Sequence, residues 1–519
     1  MSLASLYKLK QGKNAKNEKQ KEQTENAETL KAKLEKIAIP PDIAKRWVSD
    51  PCLPPGTIVY MEDGFKPIKD VDVGESVLTS TGYGHVTEIH ERRYDGELIS
   101  LTPYYANVPL HLTPNHPVLA IKTVKSCPCN RPPHFRTCLP TCSSSKNNSW
   151  CPAYFKNYEP KWIPASQLEK GDAVALGYPA MTDSHVAIQL ERYATRGYRK
   201  QGDFLVASRF RKMSEEKLKQ FISMRLAGAS MTEIKRALGF SSDETYSRWL
   251  TRLGFRNCRY LKEYRKIPAE VLIDEKLARL FGYYVAEGCA HGGSLRFSFN
   301  ADEHEFIADV QQIFKEVFTL SGHERGRNGE KCIEISFGCF PIANMFKSLF
   351  GNNATEKKLP NWFLSLPPNV LYQFLIGYLR GDGYISTTGR HGLTATTASH
   401  VLARQLCLIL AKLGIPAGIY RTTWDESDIN GRPVKTNNTR YNVGIPSKFS
   451  RTILKDVGGQ PRSPCYRRPY GFKHDNLLFV CLKEVRRTHY DGLVYNLEVN
   501  PAQSYVAEGI IVHNCGKPC

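Results

Sequence analysis

A cysteine at position 52 and a His513-Asn514-Cys515 tripeptide about 460 residues later constrain this chain more than anything between them. Cysteine is the side chain best able to attack its own upstream carbonyl, because its thiolate is strongly nucleophilic even when roughly a few per cent is ionised. Asparagine can attack its own downstream peptide bond through its amide nitrogen and close a succinimide ring. A histidine beside it can protonate the departing amine. For these groups to act together, two segments from opposite ends of the chain must fold into one pocket.

The segment Leu112-Thr113-Pro114-Asn115-His116-Pro117-Val118 lies about sixty residues after Cys52. With Cys52, Thr113, His116, His513, Asn514 and Cys515 in this order, the chain resembles the inteins. The stretch from Gly56 to Glu75, the run from Trp162 to Asp172 and Val494 to Val499 are similar to parts of their Hint domain. The resemblance covers 52–514 and implies that 1–51 and 515–519 are host segments acting in cis. It implies an all-β, horseshoe-like splicing domain built from 52–180 and 475–514, split by an insertion. It also implies roles. His116 protonates and polarises the Pro51–Cys52 amide, which Thr113 helps hold in a strained geometry. Cys52 forms a thioester, Cys515 takes over the acyl group as a branched intermediate, and Asn514 cyclises with help from His513. No cofactor enters that chemistry. Inteins often carry an aspartate where Asn496 stands and a histidine where Gln503 stands, and Pro51 places a constrained tertiary amide upstream of the nucleophile.

At 519 residues the chain exceeds a single core and suggests three or four domains. Its net charge of +20, from 71 basic and 51 acidic residues, points to a polyanion such as nucleic acid. Charge alone does not separate DNA from a membrane surface. No apolar run is long enough to span a bilayer and the N-terminus lacks a hydrophobic signal core, so the expectation is a soluble cytoplasmic monomer with no membrane partner. Fifteen cysteines without a small-domain framework fit thiols, metal ligands and a nucleophile in a reducing compartment. Residues 1–51 open with a Lys/Glu/Gln-rich stretch, followed by Leu30, Leu34 and Ile37 at helical spacing, as in a mobile helix-forming arm.

From Cys52 to about Tyr178, short β-branched runs alternate with Gly and Asp turns. Segment 126–160 interrupts them with Cys127, Cys129, Cys138 and Cys142, joined by His134 and Cys151. Such a loop either holds a structural Zn²⁺ in place of an apolar core, or carries free thiols or a disulfide. Segment 181–267 reads as linker and helices. Ser214 caps the first, with Leu218, Phe221, Ile222 and Leu226 on one face. A second runs from Ser230 to Gly239. The third, from Asp243 to Leu253, carries Thr245, Tyr246, Arg248 and Arg252, and the group resembles a helix-turn-helix whose last helix contacts DNA. A helical linker without groove contact is the alternative.

Residues 268–460 hold a second pattern. Leu277 to Gly288 and Phe374 to Gly383 are apolar helices with small residues four apart, Gly282 and Ala286 in one, Gly377 and Gly381 in the other. Each ends in a carboxylate, Glu287 or Asp382, followed by a glycine able to cap the helix in the left-handed conformation. Paired carboxylates at one edge can bind divalent cations for phosphodiester displacement. This resembles single-chain LAGLIDADG homing endonucleases. The resemblance implies two α+β repeats of the form αββαββα, Mg²⁺ on Glu287 and Asp382, and Lys358 (or Lys357) positioning the attacking water. Its strands, including 294–299 and 394–397, would read double-stranded DNA, here the intein-less allele of the host gene. Ser399 to Ile415 resembles the family's late helix. Two other readings stay open: an autoprocessing Hint domain that cleaves without ligating, and a non-catalytic DNA-binding regulator.

Overall fold

A computed structural model describes residues 51–106, 108–122, 159–180, 186–194, 198–207, 215–239, 266–326, 331–385, 391–423, 426–429, 432–435, 439–459, 470–474 and 477–514. The chain divides into two compact units. One comprises the residues up to His185, Asp274–Glu287 and everything from Leu349; the other comprises Val186–Ile273 and Gly288–Ser348. Among the described residues no helix is long and apolar enough to cross a membrane.

The first unit is organised by a twelve-stranded antiparallel sheet whose strands come from both ends of the chain. We label β1 (Ile58–Met61), β2 (Tyr83–Pro103), β3 (Pro117–Ile121), β4 (Ala173–Leu176), β5 (Leu477–Asn500), β6 (Ser504–Ala507) and β7 (Ile510–His513). Strand β5 runs against β2 from Leu482 opposite Pro103 to Asn500 opposite His85. Strand β6 pairs with β1 through Val59 and Ala507, and β7 touches both β3 (Val512 to Val118) and β4 (Ile510 to Leu176). The reason is apolar. Every residue of β3, β6 and β7 is buried, so none of these strands has a face to give to water. Leu53, Val59, Leu112, Val118, Leu497, Tyr505 and Val512 meet in one core cluster.

The same unit contains helices α1 (Glu275–Glu287), α2 (Pro368–Asp382) and α3 (His400–Lys412). Asp274 starts α1 by accepting the Leu277 amide at 2.8 Å, and Pro368 occupies the first turn of α2, where its missing N–H is harmless. Ser399 caps α3 by accepting from Leu402 N at 3.2 Å. α3 buries polar residues as well as leucines, and each finds a partner. Gln405 holds both the amide and the carbonyl of Leu359, Lys412 Nζ donates to Leu364 O at 2.9 Å, and Arg404 pairs with Glu508 at 3.2 Å.

In the second unit, Gly288–His291, Ser294–Asn300, Cys332–Gly338 and His323–Gly326 form a four-stranded sheet with helix His304–Phe318. Along the chain, α1 to Phe350 reads αββαββα. The order repeats from α2 to Asp456, with an extra hairpin at Glu426–Lys435. Helix Met231–Leu238, expected from the sequence, starts at a Ser230 capping box and stops at a left-handed Gly239 with φ 67°.

Two local expectations need correction. Neither Gly288 nor Gly383 takes the left-handed cap conformation: Gly288 opens a strand, and Gly383 sits at φ −89°, ψ 128°. Glycine is required at 383 for space, because a Cβ there would collide with the Leu379 carbonyl. Leu226, placed on an apolar face, is 80 % exposed at the end of helix Glu215–Leu226.

Candidate active sites

The peptide bond between Pro51 and Cys52 is gripped at both ends. The Cys52 amide donates to Thr113 Oγ1 at 2.9 Å, and the Pro51 carbonyl accepts from Asn496 Nδ2 at 2.5 Å. Thr113 N in turn donates to Cys52 O at 3.0 Å, and Leu53 exchanges two backbone hydrogen bonds, 2.8 and 2.7 Å, with Tyr495 on β5. That bridge fixes the register of the 51–53 segment against Asn496. Cys52, Thr113 and Asn496 are all buried.

His116 is fully buried beside them, and neither ring nitrogen has a hydrogen-bond partner of good geometry. Burial pushes its imidazole down to about 3, with His513 adding to the effect, while the backbones of Cys52 and His513 favour the charged ring. The ring is therefore neutral near pH 7 and faces both ends of the chain. A tight turn, His116 N to Thr113 O at 3.0 Å, sets its position.

At the other junction His513 Nδ1 lies 2.9 Å from the Asn514 carbonyl oxygen. A carbonyl can only accept, so Nδ1 carries the hydrogen and Nε2 is left basic. The imidazole packs edge-on to Trp162 with ring centroids 4.9 Å apart, and burial lowers its basicity. Asn514 N donates to Gln503 O at 3.0 Å, and its Nδ2 donates to Val499 O at 3.2 Å. Asn514 Oδ1 is buried without a partner.

A second site forms where α1 and α2 cross in backbone contact. A Cβ on Gly282 would strike Phe374 O, one on Gly377 would strike Arg279 O, and one on Gly381 would lie 2.7 Å from both Ala286 Cβ and Glu287 Cγ. This approach brings Glu287 and Asp382 side by side, and the Asp382 carboxyl is raised to about 7, first by burial and then by the Glu287 charge. Lys357 supplies the opposing charge. It is buried, donates to Tyr284 O at 2.8 Å and lies 3.7 Å over the Tyr284 ring.

The structure thus brings together Cys52, Thr113, His116, His513 and Asn514, and separately Glu287 with Asp382. Of the two lysines offered by the sequence, Lys358 is exposed, and Lys357 is buried with its charge acting on Asp382. Adjacent lysines on an irregular segment leave no periodicity from which to choose. Asn496, seen in the sequence only as a departure from a pattern, touches the Pro51 carbonyl, and Tyr505 behind it gave no sequence signal at all. Cys515, the cysteines Cys127, Cys129, Cys138 and Cys142, and Thr245, Tyr246, Arg248 and Arg252 of the expected third helix lie outside the described residues.

Among curated proteins, an uncharacterized protein of Methanocaldococcus jannaschii is 28% identical over 473 residues, 90% of this chain and 50% of that protein. The ATP-dependent DNA helicase Hel308 of Thermococcus kodakarensis is 23% identical over 477 residues, 89% of this chain and 36% of the helicase. An iron-sulfur cluster assembly SufBD family protein of Mycobacterium tuberculosis is 26% identical over 483 residues, 90% of this chain and 43% of that protein. The chain spans about half, or less, of the length of these relatives. Of solved structures, the homing endonuclease I-DmoI bound to DNA and Mn aligns with TM-score 0.24 and 14% identity, over 37% of this chain and 98% of that one. The N-terminal LAGLIDADG domain of DUF199/WhiA aligns at 0.25 and 15%, over 36% and 83%. Residues 369–451, from α2 to helix Ser447–Asp456, match the LAGLIDADG-like domain family, so a LAGLIDADG-type α+β domain is present in this chain.

Proposed function

We propose that residues 52–514 form a self-splicing intein, its Hint domain assembled from the two chain ends, with a LAGLIDADG DNA endonuclease embedded within it. One observation carries the splicing half: a buried, neutral His116 faces the backbones of both Cys52 and His513. Placing both scissile junctions around one proton carrier has no structural purpose, since a buried imidazole without good partners destabilises the fold.

The steps follow from the groups present. A ring neutral at rest cannot donate first, so His116 takes the Cys52 thiol proton and returns it to the Cys52 nitrogen. The new bond joins Cys52 Sγ to the Pro51 carbonyl carbon, and the bond that breaks is Pro51 C to Cys52 N. Thr113 holds that nitrogen in place. The Cys515 thiol then accepts the acyl group by thioester exchange. Asn514 Nδ2, oriented by Val499 O, attacks the Asn514 carbonyl carbon. His513 Nδ1–H polarises the carbonyl, the bond between that carbon and the Cys515 nitrogen breaks, and the proton lost from Nδ2 passes to the departing nitrogen. A sulfur-to-nitrogen acyl shift restores a peptide bond between the flanks. No water or energy source is consumed.

The comparisons support an insertion rather than a host activity. A helicase and an iron-sulfur assembly protein have unrelated chemistries, yet each matches nine-tenths of this chain with less than half of its own length. For the nuclease half, Glu287 and Asp382 fit a divalent cation, because two neighbouring, partly buried carboxylates repel until a positive charge joins them. A bound cation would activate water and neutralise phosphate charge. Lys357 would hold its charge toward the same edge, and double-stranded DNA of the uninterrupted host gene is the substrate.

Intact-mass analysis of the full chain tests the splicing half. The expected products are the 52–514 piece with a C-terminal succinimide and the ligated flanks. Cleavage without ligation would favour autoprocessing, and an unchanged mass after prolonged incubation with thiol would overturn the proposal. Mg²⁺-dependent linearisation of a plasmid carrying the uninterrupted host gene tests the nuclease half; DNA binding without cutting would point to a regulator.

A further inference from the structure

Resting on the splicing reading, we infer that Asn496 and Tyr505 together form the oxyanion site of the first acyl shift, Asn496 as the catalytic donor and Tyr505 as the residue that aims it. The Asn496 amide makes three contacts while completely buried. Nδ2 reaches Pro51 O at 2.5 Å, and Oδ1 accepts from the Tyr505 hydroxyl at 2.6 Å and from Leu497 N at 2.9 Å.

Chemistry dictates the orientation of that amide. Turned over, it would oppose its oxygen to the Pro51 carbonyl oxygen and its NH₂ to the Leu497 N–H. The backbone N–H cannot accept, and Tyr505 brings a second donor to the same oxygen. A donor therefore waits on the one oxygen that becomes negatively charged when Cys52 Sγ adds to the Pro51 carbon. In the tetrahedral intermediate the C–O bond carries the electron pair displaced by sulfur. Collapse returns that pair as the C–N bond breaks, and the nitrogen receives the proton that left the thiol. A donor buried away from water is worth most at that charged stage.

This accounts for asparagine at 496. An aspartate there could donate only while protonated, a condition the neutral amide does not impose. Strand geometry supplies the rest: Leu53 pairs with Tyr495, which puts Cys52 opposite Asn496, while Tyr505 lies on β6, the next strand along the chain, and is itself fully buried.

The test separates the two junctions. In an Asn514→Ala/Cys515→Ala chain, dithiothreitol releases residues 1–51 only through the thioester; in a Cys52→Ala chain, cleavage after Asn514 reports cyclisation alone. Asn496→Ala and Asn496→Leu should slow thiol-induced release by about 100-fold, the usual loss for one oxyanion donor. Tyr505→Phe, which keeps the packing, should slow it about 5- to 10-fold and give the Asn496 side-chain amide two NMR environments in place of one. Cyclisation should change less than about 2-fold in all three. Release at the parent rate in Asn496→Ala, or equal slowing at both junctions, overturns the assignment. A normal rate in Tyr505→Phe overturns the aiming role. If the parent releases nothing with thiol, the splicing reading falls and takes this site with it.

Discussion

Thr113 Oγ1 accepts the Cys52 amide hydrogen at 2.9 Å across 61 positions of sequence, and the Thr113 amide returns to the Cys52 carbonyl at 3.0 Å. A single residue thus clamps the nucleophile on both sides. Thr113→Ala should slow thiol-induced release of residues 1–51 by roughly 10-fold or more while cleavage after Asn514 proceeds, since the clamp acts at one junction only. Asn514→Ala should do the reverse, abolishing C-terminal cleavage and leaving the thioester trappable. Mass spectrometry of both variants reads these outcomes. Loss of both cleavages in Thr113→Ala would mean the clamp serves the whole fold.

The His116 ring makes stability depend on pH. Unfolded, it binds a proton near its ordinary value of 6.5; folded, burial holds it down to about 3. Its contribution is thus complete above pH 6.5 and is lost progressively as pH falls toward 3. Each pH unit in that window removes up to about 1.4 kcal/mol. Unfolding free energies from urea titrations of a Cys52→Ala/Asn514→Ala chain should fall between pH 6.5 and 5 by about 1.6 kcal/mol more than those of the same chain carrying His116→Gln. Parallel profiles would show that the ring is hydrated in solution.

Gly377 and Gly282 permit the backbone contact between α1 and α2. Gly377→Ala should therefore destabilise the first unit by about 3 kcal/mol, because the new methyl meets the Arg279 carbonyl, a backbone atom that cannot rotate away. Exposed Gly56, where a Cβ meets nothing, is the control and should tolerate alanine within about 0.5 kcal/mol. Thermal denaturation of the two variants decides, and equal behaviour would refute the close crossing.

Glu287 and Asp382 repel each other in the metal-free chain. Asp382→Asn should raise its melting temperature by a few degrees, while abolishing any gain on adding Ca²⁺ and any Mg²⁺-dependent DNA cutting. Calorimetry with and without the cation measures the first two effects. A Ca²⁺ stabilisation that persists in the variant would place the cation elsewhere.

Arg404 and Glu508 are a buried ion pair that ties α3 to the turn between β6 and β7, and Glu508 also accepts the Ile58 amide at 2.9 Å. Arg404→Met should cost about 3–5 kcal/mol by stranding the carboxylate. Adding Glu508→Gln, which keeps an acceptor for Ile58, should restore more than half of it. A double-mutant cycle by urea denaturation gives the coupling; strict additivity would rule the pair out.

Much of this was legible along the chain. The order Cys52, Thr113, His116, His513, Asn514 called for both ends of the chain to meet, as they do in the large sheet, and the small-residue spacing of α1 and α2 marks a tight crossing that delivers Glu287 to Asp382. The helix read between Ser230 and Gly239 forms as expected, Met231–Leu238. The glycine caps at 288 and 383 did not, because a clash with the Leu379 carbonyl demands glycine as effectively as a left-handed turn does.

Residue identity alone determined which groups can attack, cyclise or carry a proton, since nucleophilicity and acid strength belong to the side chain. Tertiary structure alone decided their surroundings: the neutral state of His116, the buried Lys357 charge near Asp382, and the Tyr505 hydroxyl that turns the Asn496 amide toward Pro51. Those properties come from burial and from neighbours brought in by β-sheet register. Register is set by the whole pattern of buried strands and cannot be read from any one segment.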